Sequence, residues 1–143
     1  MNKGIFIVFA LTALFSCNKD QKVVRTLDGK WLASSFVVSS DQLSVDWVKA
    51  GITYKMQFTK CELKDEESCD AIITASSAGV NPEISNAEYR VYNDGTLIEF
   101  TGSGYSLLSI DYIPLSIDKL TKSALILSYD DGDIDLIITL EKQ

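Results

Sequence analysis

Alternation of apolar and polar residues runs through this chain from residue 27 onwards, and it restricts the fold more than any other feature. Tyr54, Met56 and Phe58 alternate with Lys55, Gln57 and Thr59, the pattern of a strand buried on one face. Gly29 to Val38 and Ala71 to Ala75 read as two more strands. Glu88 to Tyr92 and Thr96 to Thr101 flank Asn93-Asp94-Gly95. Ala124 to Tyr129 and Ile134 to Leu140 flank Asp130-Asp131-Gly132-Asp133. Such turns between alternating runs predict hairpins. In the final run Ile134, Leu136, Ile138 and Leu140 face one way, and Ile137 is the one apolar residue on the opposite face. Tyr105 to Ile110 and Ile113 to Ile117 complete the series, with Pro114 restricted to an edge, a bulge or a strand start. Gln42 to Lys49 reads as a short helical turn or a loop-rich strand. Eight or nine short strands, and no convincing apolar face at helical period, predict one all-β domain over residues 27–143. The expected architecture is an antiparallel barrel, with a β-sandwich as the alternative.

The start of the chain has a different character. Asn2 and Lys3 precede a nearly unbroken apolar run from Gly4 to Phe15. A bilayer span needs about 20 residues, so this run fits the apolar region of a signal peptide instead. It ends in Leu14-Phe15-Ser16-Cys17, which resembles the lipobox of bacterial lipoproteins, with Phe15 larger than the residue usual at its position. The alternative is an ordinary secretory signal with an incidental cysteine. The lipoprotein resemblance implies cleavage after residue 16 and lipidation of Cys17. It also implies anchorage in the cell envelope of a Gram-negative bacterium, at the outer membrane and on either face of it. Residues 17–26 are then the lipidated cysteine and a polar linker. Lys19-Asp20 partly resembles a surface-export signal, but a plain tether explains it as well.

Charge and composition exclude several functions. The chain carries a formal net charge of −7 and no histidine, and removing Lys3 with the leader makes it −8. An acidic domain repels phosphate backbones, so nucleic acid is not an expected partner. Its net charge offers no help at an anionic bilayer, which leaves lipid as the anchor. Without histidine there is no Ser-His-Asp or Cys-His catalysis. The expectation is a protein that is not an enzyme and has no cofactor. Cys61 and Cys69 remain as an even pair outside the cytoplasm, spaced to bridge the base of a loop, so a disulfide is expected. A two-thiolate metal site is the alternative, but the sequence has no histidine and no further cysteine to complete it. Asp130, Asp131, Asp133 and Asp135 crowd one turn and would suit Ca²⁺. Their order does not match an EF-hand loop, and a solvated acidic hairpin that protects an edge is the simpler reading. Asp65-Glu66-Glu67 likewise reads as a solvated loop before a catalytic pair. No metal site is expected.

Leu27-Asp28-Gly29-Lys30-Trp31 resembles the Gly-x-Trp signature that opens the first strand of lipocalins. Tyr89 to Thr96, Ile117 to Leu127 and Ile134 to Lys142 are similar, in order, to the middle hairpin and closing strands of small bacterial lipocalin-like lipoproteins. The chain departs from that pattern in being short and in having no C-terminal arginine in a motif that would pack on the tryptophan. The resemblance implies an eight- or nine-stranded barrel that binds a small apolar ligand without catalysis. Trp31, Tyr54, Met56, Phe58, Tyr89, Val91, Ile98 and Phe100 are the candidate ligand contacts. Core packing accounts for the same residues. A filled barrel that contacts protein or glycan in the envelope is therefore the alternative function, with its partners open.

Overall fold

The computed structural model describes residues 18–63, 68–102 and 112–143. The expected signal peptide over residues 1–16, the lipidation site Cys17, the expected strand from Tyr105 to Ile110 and the acidic run Asp65-Glu66-Glu67 lie outside these residues.

The chain folds as helix α1 (Lys19–Leu27) followed by nine strands. These are β1 (Gly29–Ser40), β2 (Ser44–Asp46), β3 (Ile52–Phe58), β4 (Cys69–Ser77), β5 (Glu83–Tyr92), β6 (Leu97–Thr101), β7 (Leu115–Leu120), β8 (Ala124–Asp130) and β9 (Ile134–Lys142). From β3 onwards each strand pairs antiparallel with the next. β9 returns to pair with β1 from Trp31↔Lys142 to Ser40↔Ile134. The result is a closed eight-stranded antiparallel barrel, the first of the two expected architectures. The short β2 is the extra strand and pairs with the end of β1 at Val37 to Ser39.

Closure works because period two puts one face of every strand inside. β3 buries Tyr54, Met56 and Phe58, β5 buries Ala87, Tyr89 and Val91, and β9 buries Leu136, Ile138 and Leu140. Ile137 stays exposed, as its phase requires. β1 changes phase partway. Trp31 and Ala33 point in, a bulge follows between Ala33 and Ser35, and Phe36 then points in as well. The bulge adds one residue and bends a strand that must pair with β3 at one end and β2 at the other.

Between those two pairings β1 has no strand partner on that side; the amide of Trp47 donates to the carbonyl of Phe36 at 2.8 Å, and the Asp46 side chain supplies the other contacts. One carboxylate oxygen accepts hydrogen bonds from the amides of Phe36, Val48 and Lys49, and the other accepts from the Ser35 hydroxyl. The stretch Gln42–Lys49 therefore holds both readings: the short strand β2 and then a tight turn in which the amide of Ala50 donates to the carbonyl of Asp46 at 3.0 Å, the spacing of one helical turn.

Most of the stretch read as a polar linker, residues 18–26, is helical. Asn18 caps α1, its side chain accepting from the amide of Gln21 at 3.1 Å. Asp20 in the first turn and Arg25 in the last suit the helix dipole. Val24 and Leu27, three residues apart, are fully buried. The apolar stripe was short enough to pass as noise, yet it closes one end of the barrel.

Candidate functional site

Helix α1 is fixed to the barrel end by four sets of contacts. The Asp20 carboxylate accepts from the amide of Gly95 in the β5–β6 turn. The Gln21 side chain donates to the carbonyl of Cys61 and accepts from the amide of Leu63. Arg25 pairs with Glu62 at 2.8 Å, and Lys19 with Asp94 at 3.5 Å. The Lys142 ammonium donates to the carbonyl of Thr26. The Cys61–Cys69 disulfide is present, with Cα atoms 5.8 Å apart. It holds the start of the β3–β4 connection, the segment to which Gln21 and Arg25 bind.

Trp31 stands where helix and barrel meet. Its indole Nε1 donates to the carbonyl of Leu27 at 2.7 Å. The Lys142 ammonium lies 5.1 Å from its ring centroid, within cation–π range. A cation from the last strand thus packs on the tryptophan, in the form of a lysine that the sequence did not mark out. Gly29 makes room for it, because a Cβ there would meet Cε of Lys142 at 2.9 Å. Gly29 also has φ +122°, a backbone conformation that favours glycine, two residues before the ring on which Lys142 packs.

The candidate ligand residues come together inside the barrel. Trp31, Met56, Ile98 and Phe100 are fully buried, and Tyr54, Phe58, Tyr89 and Val91 are exposed by no more than 4%. Phe58 meets Tyr89 edge-on at 5.0 Å and lies 6.2 Å from Phe100, while Phe36 meets Tyr54 edge-on at 5.1 Å. A side chain bordering an empty pocket would keep surface that a water molecule could touch, and these keep almost none. Their space is taken up by one another.

One polar group sits unsatisfied in this interior. The Tyr89 hydroxyl is buried and has no hydrogen-bond partner among the described residues. Burial, with help from the negative charges of Asp28 and Asp70, pushes its pKa well above the usual tyrosine range. It stays protonated, a donor without an acceptor. The indole nitrogen of Trp47 is the second such donor.

Among the described residues two hollows lie on the outside. One of about 270 Å³ is lined by Lys30, Lys55, Gln57, Ile72, Thr74 and Gln143 with Trp31 and Met56. The other, about 220 Å³ and more open, is lined by Ser39, Ser40, Asp41 and the β8–β9 turn. In that turn the carboxylates serve the backbone. Asp130 accepts from the amide of Gly132, and one oxygen of Asp131 accepts from the amides of Asp133 and Ile134. These bonds hold the pKa of Asp131 below its ordinary value. Among the described residues no group of three or more Asp, Glu or Cys is placed to hold a metal ion.

Exposed large apolar side chains gather at the end opposite α1. Leu43 follows β1, Val80 lies in the β4–β5 turn, Ile84 is near the start of β5, and Tyr112 precedes β7. No known protein family matches the chain, and no curated protein and no solved structure matches it either.

Proposed function

We propose that this chain is a cell-envelope lipoprotein, anchored through Cys17, whose lipocalin-like barrel acts by non-enzymatic contact at its outer surface. The observation that carries this reading is the filled interior. The eight residues that would have to line a ligand pocket are buried against one another, so the lumen they enclose offers a ligand little room. The end opposite α1, with Leu43, Val80, Ile84 and Tyr112 exposed, is the surface suited to a protein or glycan partner. The absence of histidine supports binding over catalysis. Anchorage rests on the lipobox-like Leu14 to Cys17, and no described helix is long and apolar enough to cross a membrane.

A second reading, transport or storage of a small apolar molecule, has its own support. The unpaired Tyr89 hydroxyl inside the barrel would be satisfied by a ligand carrying an acceptor. Titration of the delipidated protein with an apolar fluorescent probe separates the two. Contact at the surface predicts no saturable binding. Saturable binding that weakens in Tyr89→Phe would favour the carrier and overturn the first reading. The anchor has a separate test: Cys17→Ala should lose both its acyl mass and its membrane fractionation.

A further inference from the structure

The net charge of the chain hides an uneven distribution along the barrel axis. Lys19, Lys22, Arg25, Lys60 and Lys122 are exposed at the end closed by α1. Asp20, Glu62, Asp94 and Asp118 are interspersed there, so that end is mixed in sign. The far end carries exposed Asp41, Asp130, Asp131, Asp133 and Asp135, and Lys49 is the basic residue among the described loops there. Among the described residues the far end is the more uniformly acidic of the two.

The position of the anchor relative to this polarity follows from α1. The helix starts at Lys19, so Asn18 alone separates it from Cys17. One residue spans about 3.8 Å, and Asn18 is itself committed as the helix cap. The helix cannot swing on the barrel, because Val24 and Leu27 are buried beneath it and its polar side chains reach the β3–β4 connection and the β5–β6 turn. A lipid on Cys17 thus has no flexible tether through which to hold the domain at a distance.

We infer that the α1 end of the barrel lies against the headgroups of an anionic phospholipid bilayer, with the acidic pole directed away from it. This rests on the lipid anchor proposed above. The short tether holds the α1 end at the surface. Charge then disfavours the tilted poses, because an acidic pole brought within a Debye length, about 8 Å at physiological salt, is repelled by anionic lipid. The α1 end, where basic and acidic side chains alternate and partly pair, meets that lipid with less of this penalty. Leu43, Val80, Ile84 and Tyr112 are then presented away from the membrane, where a partner could reach them.

The test uses the acylated protein in vesicles of phosphatidylcholine and phosphatidylglycerol in a three-to-one ratio, doped with a headgroup-labelled nitroxide lipid. With Cys17 acylated and Cys61 and Cys69 bridged, a single added thiol takes a fluorophore at Ser123→Cys, beside α1, or at Ala78→Cys, at the far end. Quenching should be several-fold stronger at position 123 than at 78. A flexible Gly-Ser insert between Cys17 and Asn18 should bring the two values together. Equal quenching in acylated protein without the insert would overturn the pose and leave the anchor standing. Protein with no acyl mass on Cys17 would overturn both.

Discussion

Tyr89 and Asp46 show how single polar groups are treated in opposite ways in one small barrel. The Tyr89 hydroxyl is buried and unpaired, which costs about 1 to 3 kcal/mol for a neutral donor. Tyr89→Phe keeps the ring contacts with Phe58 and Phe100 and removes the orphan. It should therefore raise stability by about 1 kcal/mol, read from the denaturant midpoint at unchanged slope; a clear loss would mean that the hydroxyl has a partner in solution. Asp46 is the reverse case. Burial raises its pKa, but hydrogen bonds from Phe36, Ser35 and Lys49 outweigh this and leave the pKa lowered. A carboxylate depressed in the folded state adds stability above its unfolded pKa, near 3.9. That stability is lost as pH falls through the folded value. Asp46→Asn should thus be less stable than the parent at neutral pH, with the gap narrowing below about pH 4. Urea midpoints measured across that range would test it, and a gap independent of pH would assign the loss to geometry alone.

At the scale of elements, the strands were legible and the helix was not. Period two gave β3, β5, β8 and β9 because each buries one face against a common interior. The hairpin turns at Asn93-Asp94-Gly95 and Asp130 to Asp133 announced themselves through residues that tolerate tight backbone. The sequence could not show the bulge that flips β1 between Ala33 and Phe36, because a bulge is set by what the strand must pair with. Nor could it show α1, where three apolar residues supply the stripe and the partners are distant in sequence. Asn18 with Gln21 three residues on, followed by Val23, Val24 and Leu27, was the available signal. Gly95 allows a direct test of helix docking. It has φ +76°, and a Cβ there would meet Cγ2 of Val23 at 2.7 Å and the carbonyl of Lys19 at 3.2 Å. Gly95→Ala should cost about 1 kcal/mol or more, and Val23→Ala in the same chain should recover part of it. A double-mutant cycle measures that coupling, and strict additivity would mean that α1 does not press on the turn.

For the whole molecule, the question is how a barrel of this size uses its interior. Eight strands enclose just enough space for side chains to fill or for one small ligand, so neither strand count nor apolar pattern decides between them. The candidate contacts were legible as inward-facing residues. Their mutual packing was not, because it depends on which rings meet across the lumen: Phe58 with Tyr89 and Phe100, and Phe36 with Tyr54. Met56, fully buried on β3 between Tyr54 and Phe58 in the chain, offers a test in two directions. In a filled barrel Met56→Ala leaves a void and should cost about 2 to 5 kcal/mol. Met56→Trp adds volume where there is none and should cost about 1 to 3 kcal/mol. A hollow barrel gives a different pair of results. There Met56→Trp fills empty space at little cost and abolishes probe binding, while Met56→Ala enlarges the pocket. Denaturant midpoints of the two variants, measured beside a probe titration of each, distinguish these cases. Destabilisation in both directions, with no saturable binding by the parent, is the expected outcome, because the Met56 side chain is fully buried in the core cluster.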